Sequence, residues 1–332
     1  MIFGRAICET LAVLAVTCGF ALAQALPAGS ANRELLKDAW FTGPILAPSA
    51  ATLPRGHFLI EPYFYDVIVQ GRYDNTGTRR TGSHENEVRS LTYMLYGLSD
   101  KVTVGLIPTG GYNKLSGSPS SSGLEPGDLT LDAEYRLTQF HEGSWHPATA
   151  AVVQETLPTG KYDRLGTRTS NGLGSGAYTT TLGLYTQTYF WLPNGRILRA
   201  RFNLSQAFSQ TVHVQDASVY ATEAGFRGHA HPGRSTFVDL SSEYSLTRRW
   251  VLALDATYRY NANTRVNGYN VLGAAPVALE LDSGSGYVAG LAPAVEYNWR
   301  HNLGFLLGSY VIVAGRNTSA TITPVVAINF WR

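Results

Sequence analysis

The chain has 332 residues, enough for one large domain or two ordinary ones, and a formal net charge of only +2. Charged residues make up 15%, below the roughly 25% of an average soluble domain, while glycine (34) and tyrosine (19) are plentiful. So slight a charge leaves no footprint for nucleic acid or an acidic polymer, and neither is expected as a partner.

Residues 1–23 read as a cleaved secretory signal peptide. Arg5 precedes an apolar run from Leu11 to Phe20, and Ala21-Leu22-Ala23 supplies small residues ahead of a cut before Gln24. The run is too short for a stable helical span of about 20 residues. Both cysteines, Cys8 and Cys18, fall inside this signal, and Ala15-Val16-Thr17 is a poor context for lipidation of Cys18. The exported chain therefore has no disulfide and no cysteine metal site. After Ala23 no stretch approaches 18 apolar residues, which excludes a helical membrane protein.

Residues 24–55 are rich in Ala, Pro and Gly without a clear period, and read as a periplasmic N-terminal segment with a short helix near Arg33 to Lys37. From Gly56 the pattern changes to period 2. Side chains alternate across a strand, so alternating polarity means two faces in different solvents. Leu129, Leu131, Ala133, Tyr135 and Leu137 oppose Asp128, Thr130, Asp132, Glu134 and Arg136. Leu198, Ala200, Phe202 and Leu204 oppose Arg199, Arg201, Asn203 and Ser205. Trp250, Leu252, Leu254, Ala256, Tyr258 and Tyr260 oppose Val251, Ala253, Asp255, Thr257 and Arg259.

About twelve such strands are expected, an even number as single-chain barrels require. They fall at 56–70, 87–97, 102–113, 127–138, 148–158, 177–190, 196–209, 234–245, 250–260, 286–298, 303–313 and 319–331. Connections at 98–101, 192–195, 246–249 and 299–302 are short. Those at 71–86, 114–126, 159–176, 210–233 and 261–285 are long and rich in Gly, Ser and Asn. Short periplasmic turns and long outer loops are the mark of a membrane barrel, whereas a soluble sandwich or propeller has no reason to sort loop lengths by side. The 139–147 turn and the 314–318 loop fit this sorting less well. The last strand places Ile322, Pro324, Val326, Ile328 and Phe330 on one face and stops at Trp331-Arg332, similar to the terminal aromatic signal read by barrel-assembly machinery.

Gly56-His57-Phe58, Tyr96-Gly97-Leu98-Ser99-Asp100-Lys101, Pro126-Gly127-Asp128-Leu129 and Leu157-Pro158-Thr159-Gly160-Lys161-Tyr162 carry a resemblance. From Gly56 to the C-terminus the chain resembles the outer-membrane transporter-like family of the MetA pathway of phenol degradation. The resemblance implies a barrel and a role in the passage of aromatic or other hydrophobic compounds.

The expected fold is all-β: a single antiparallel up-and-down transmembrane β-barrel over residues 56–332, in a Gram-negative outer membrane. The expected lumen-lining set is Glu61, Asp128, Asp132, Glu134, Arg136, Arg199, Arg201, Asp239, Glu243, Asp255, Arg259 and Glu296. These side chains serve either a structural salt-bridge network or solute selection. Pro108-Thr109-Gly110 and Pro158-Thr159-Gly160 read as strand ends. His229-Ala230-His231, with His213 upstream, is the one metal-like cluster; it reads as loop histidines, and no metal or cofactor is expected. Ser205 and Ser309 lie in strands, and no histidine stands at a matching strand position except His57 and His301, near strand ends, so no catalytic residue is expected. The leading function is a porin-like channel for passive passage of a small, hydrophobic or aromatic solute. The alternative is a structural or adhesive surface barrel whose loops bind partners, and a lipid enzyme is the least supported. Expected partners are outer-membrane lipid, barrel-assembly machinery and the small-molecule solute.

Overall fold

The computed structural model describes residues 33–115, 117, 119–272 and 275–332, with the side chains of Ser83 and His84 excepted; the signal expected at 1–23 lies outside the described residues. After a 3-10 turn at Leu36–Asp38 come β1 (Phe58–Tyr73), β2 (Arg79–Ser99), β3 (Val102–Ile107), β4 (Thr109–Lys114), β5 (Glu125–Pro126), β6 (Leu129–Thr138) and β7 (Ala148–Leu157). A second 3-10 turn at Thr169–Asn171 precedes β8 (Thr179–Trp191), β9 (Ile197–Ser209), β10 (Val212–Gln215), β11 (Phe226–His231), β12 (Ser235–Ser245) and β13 (Trp250–Asn261). The chain ends in β14 (Arg265–Asn270), β15 (Val277–Asp282), β16 (Gly286–Arg300), β17 (Leu303–Arg316) and β18 (Thr318–Trp331).

The main sheet runs β1-β18-β17-β16-β13-β12-β9-β8-β7-β6-β3-β2, and the β1–β2 pairing closes it. With β3 and β4 sharing one position, this is a closed barrel of 12 antiparallel strands. Closure matters because a lipid-exposed sheet edge would leave backbone N–H and C=O groups without partners. Burial alternates residue by residue along β13: Val251, Ala253, Asp255 and Thr257 are buried, while Leu252, Leu254 and Tyr258 are exposed. The exposed set continues around the wall through Phe202, Leu204, Leu240, Leu291 and Val326, which is the apolar outer band of a membrane barrel.

Three local readings need correction. Pro108 interrupts a strand in mid-course instead of ending it. It has no N–H to donate, so β3 stops at Ile107 and the chain resumes as β4, which pairs with β2 and β5 instead of β6. The 314–318 loop is a tight turn between long strands, made possible by Asn317 at φ 50. The 210–233 and 261–285 loops each contain two short strands. They supply a second sheet in the order β10-β11-β14-β15, built over Ala177, Val212, Val214, Phe226, Ala230 and Val266. His229-Ala230-His231 therefore lies in strand β11, with Ala230 buried between two exposed histidines.

Leu254 stands midway along β13 and faces outward. Leu254→Arg is expected to lower the unfolding free energy in phospholipid vesicles by about 2–4 kcal/mol, the depth-dependent cost of a lipid-facing charge. A loss below about 0.5 kcal/mol, as at a water-facing position, would contradict the outward assignment.

Candidate functional site

Residues read as a periplasmic segment run instead, from Phe41 to Pro54, inside the barrel. The chain first crosses the rim formed by the short turns. Arg33 pairs with Glu142 at 2.9 Å, the Glu34 amide donates to the Gly195 carbonyl at 3.0 Å, and Arg248 reaches Asp38 at 3.6 Å. It then climbs along inward-facing side chains. The Thr42 amide donates to Glu296 Oε2 at 2.6 Å, and the Ile45 and Leu46 amides donate to Asp255 Oδ2 at 3.0 and 3.3 Å. Arg201 Nη1 donates to the Ala47 carbonyl, and Asn203 Nδ2 donates to the Pro48 carbonyl at 2.9 Å. On the way down, Leu53 N donates to Thr103 Oγ1 at 2.8 Å and Arg55 N to Asp100 Oδ1 at 3.1 Å.

This strap touches opposite walls. Ile45 packs with Tyr63, Ala253, Ala294, Leu306 and Val325, on β1, β13, β16, β17 and β18. Ala50 packs with Ala150, Val152 and Tyr185, on β7 and β8. Its lack of periodicity has a physical cause: it is surrounded by wall on all sides, and Pro44, Pro48 and Pro54 keep it from joining a ladder. Glycines make room for it. A Cβ at Gly97 would run into the carbonyl oxygens of Leu53 and Pro54, and one at Gly304 into Thr42 Oγ1.

The charged residues singled out in the sequence divide into three groups. The first surrounds the strap. Arg199 donates two hydrogen bonds to Glu243, one of 2.5 Å from Nε, and Arg201 Nε lies 3.4 Å from the same carboxylate. All three are buried, as are Asp255 and Glu296, which hold strap amides. The Arg199 guanidinium also stands 4.5 Å from the Phe41 ring centre. The second group lies on the facing walls, apart from Asp239, which shares β12 with Glu243. Glu61 accepts from Asn329 Nδ2 at 3.0 Å and Asp132 from Gln154 Nε2 at 2.8 Å. Glu134 and Asp239 are buried, and among the described residues nothing donates to Glu134 Oε1 or to either oxygen of Asp239. Arg136 is half-buried near the end of β6.

The third group sits toward the long-loop end. Arg259 is exposed, with its guanidinium 4.4 Å from the Phe237 ring centre. Asp128 fixes a loop: it accepts from the Gly160 amide at 2.9 Å and from the Ser175 amide and hydroxyl at 2.7 Å each.

Between strap and wall lies a cavity of about 420 Å³, lined among others by Tyr63, Tyr93, Tyr185, Glu61, Glu134 and Arg201. Its size is within the range of small-molecule sites, roughly 300–1,000 Å³. The tyrosines escape a reading based on charge, yet Tyr93 stands opposite Glu61 across β1 and β2, and Tyr63 follows Glu61 two residues on along the same face of β1. That register is the signal that could have found them.

The family model described as "Putative MetA-pathway of phenol degradation" matches residues 67–323. The chain belongs to that family. A search of curated proteins gives no match. Among solved structures, the COG4313 outer membrane channel from Pseudomonas putida F1 shares 15% identity at a TM-score of 0.66, covering 87% of this chain and 100% of that one. At this identity the likeness shows the fold alone. The Pseudomonas putida toluene transporter TodX aligns more loosely, with 13% identity and a TM-score of 0.32 over 84% of this chain and 90% of that one.

Glu243 joins two guanidiniums in a buried site, so its loss leaves both without their shared partner. Glu243→Ala is expected to lower the unfolding free energy by about 3–5 kcal/mol, measured by denaturant titration in detergent. An effect under about 1 kcal/mol, the size of an exposed ion pair, would show that the cluster is solvated.

Proposed function

We propose that the protein is an outer-membrane channel for passive passage of small aromatic or otherwise hydrophobic compounds, and that the strap from Phe41 to Pro54 is its constriction. The observation that carries this reading is the tyrosine-walled cavity beside a segment that is hydrogen-bonded to the wall but joins no β-ladder. The family description and the channel identity of the P. putida structural neighbour support it. Tyrosine presents an apolar ring face with a polar tip, a surface suited to aromatic solutes moving past water.

Passage requires the strap to shift. It is held by single hydrogen bonds to side chains, each with a net worth of about 0.5–3 kcal/mol. A sheet strand would have to break a whole ladder. The charged side chains around it serve in this reading as strap anchors and as the polar lining of the path. Cleavage after Ala23 leaves a short leader ahead of the rim contacts of Arg33. The outward apolar band meets outer-membrane lipid, and β18 presents the barrel-assembly signal.

Planar-bilayer conductance tests the reading. Wild type is expected to give small or rare steps. Deletion of residues 40–54 is expected to give frequent steps several-fold larger. Gly97→Ala, which crowds the strap off the wall without shortening the chain, is expected to move conductance in the same direction. Identical small steps in all three would remove the strap as the constriction. Silence from the folded strapless barrel would remove the channel reading itself.

A further inference from the structure

The outer sheet carries a feature that passage through the barrel does not use. β10 and β11 are antiparallel, and His213 stands directly opposite His229. Directly opposed residues hold their Cβ atoms about 4.5–5.5 Å apart. The two imidazole centres are 5.3 Å apart with ring planes at 86°. Two nitrogens on one ion at about 2.0–2.1 Å each lie roughly 3 Å from one another, within reach of staggered rotamers at this spacing.

We propose that His213 and His229 form a two-imidazole binding site for a divalent transition metal of the copper, nickel or zinc type.

The frame beneath the pair is rigid. Val212, Val214 and Ala230, immediate chain neighbours of the histidines, are buried in the core of the outer sheet, so both imidazoles project from its exposed face. Neither imidazole has a hydrogen-bond partner among the described residues. His231 shares the face but is engaged, its Nδ1 lying 2.9 Å from Thr211 Oγ1. The row continues across the sheet with oxygen donors: Asn267 stands opposite His229, and Glu280 opposite Asn267.

Two arginines of the outer sheet are ion-paired. Arg227 Nη1 meets Asp216 at 2.9 Å, and that carboxyl is held below the usual carboxylate range by the Gly225 amide and by Arg227 itself. Arg265 lies 3.7 Å from Asp282. Imidazole donors select copper, nickel and zinc over magnesium or calcium, and solvent completes the coordination of a two-ligand site. A bound ion would clamp β10, a strand of only 4 residues, to its neighbour.

The full chain, purified in detergent without a polyhistidine tag, is titrated with Cu²⁺ and followed by electron paramagnetic resonance, and with Zn²⁺ by calorimetry. One ion per chain is expected, with copper hyperfine structure from two imidazole nitrogens. His213→Ala and His229→Ala are each expected to weaken binding about tenfold or more, and His231→Ala by less than about twofold. Heat-modifiable migration of every variant verifies that the barrel has folded. Absence of binding by wild type, retention of binding in His213→Ala and His229→Ala, or an equal loss in His231→Ala would overturn the proposal.

Discussion

The interior of this barrel rests on a reciprocal satisfaction of polar groups. The strap brings backbone N–H and C=O groups into a narrow, protein-lined space, where an unpaired polar group is costly. The wall brings polar and ionisable side chains into the same space. Each supplies what the other lacks. Glu296 and Asp255 accept from strap amides, while Arg201 and Asn203 donate to strap carbonyls. Glu243 contacts both Arg199 and Arg201, so the guanidinium that holds Ala47 is itself held.

That exchange needs room, and the wall provides it with small residues. Ala253, Ala292, Ala294 and Ala327 line the side where Ile45 packs, and Gly97 and Gly304 admit the strap where its backbone comes closest. A barrel of this strand number lies between filled eight-stranded barrels and open porins. The strap fills the difference and leaves a cavity where the tyrosines stand back. Order in the wall is set by a closed ladder, and order in the lumen by a handful of side-chain bonds. Motion is therefore expected in the lumen while the wall stays fixed.

The wall is legible in the sequence because it stands between two solvents. Leu252 and Leu254 meet lipid, Val251, Ala253 and Asp255 meet the interior, and the period of 2 follows. The strap is not legible by that route. Ile45 and Ala50 are both buried, but against different walls, so no period emerges. The outer sheet is hidden for another reason. Its strands are 4 to 6 residues long, too short for alternation to stand out from a loop composition. Pro108 misleads in its own way: read as a strand end, it is a strand break, because the ladder resumes on β2 after the missing donor. Asp128 shares the parity of Asp132 and Glu134, and only the partners at Gly160 and Ser175 reveal that it fixes a loop.

The measurement that bears most directly on the strap is a reversible lock. Ala50 and Ala150 are both fully buried in one cluster, and after Ala23 the sequence contains no cysteine to interfere. A chain carrying Ala50→Cys and Ala150→Cys is expected to form the disulfide in the folded barrel. Its single-channel conductance should be suppressed when oxidised and return to the wild-type pattern on reduction. Failure of the pair to cross-link, or an oxidised channel that conducts like the strapless barrel, would contradict a lumen closed by the protein's own strap.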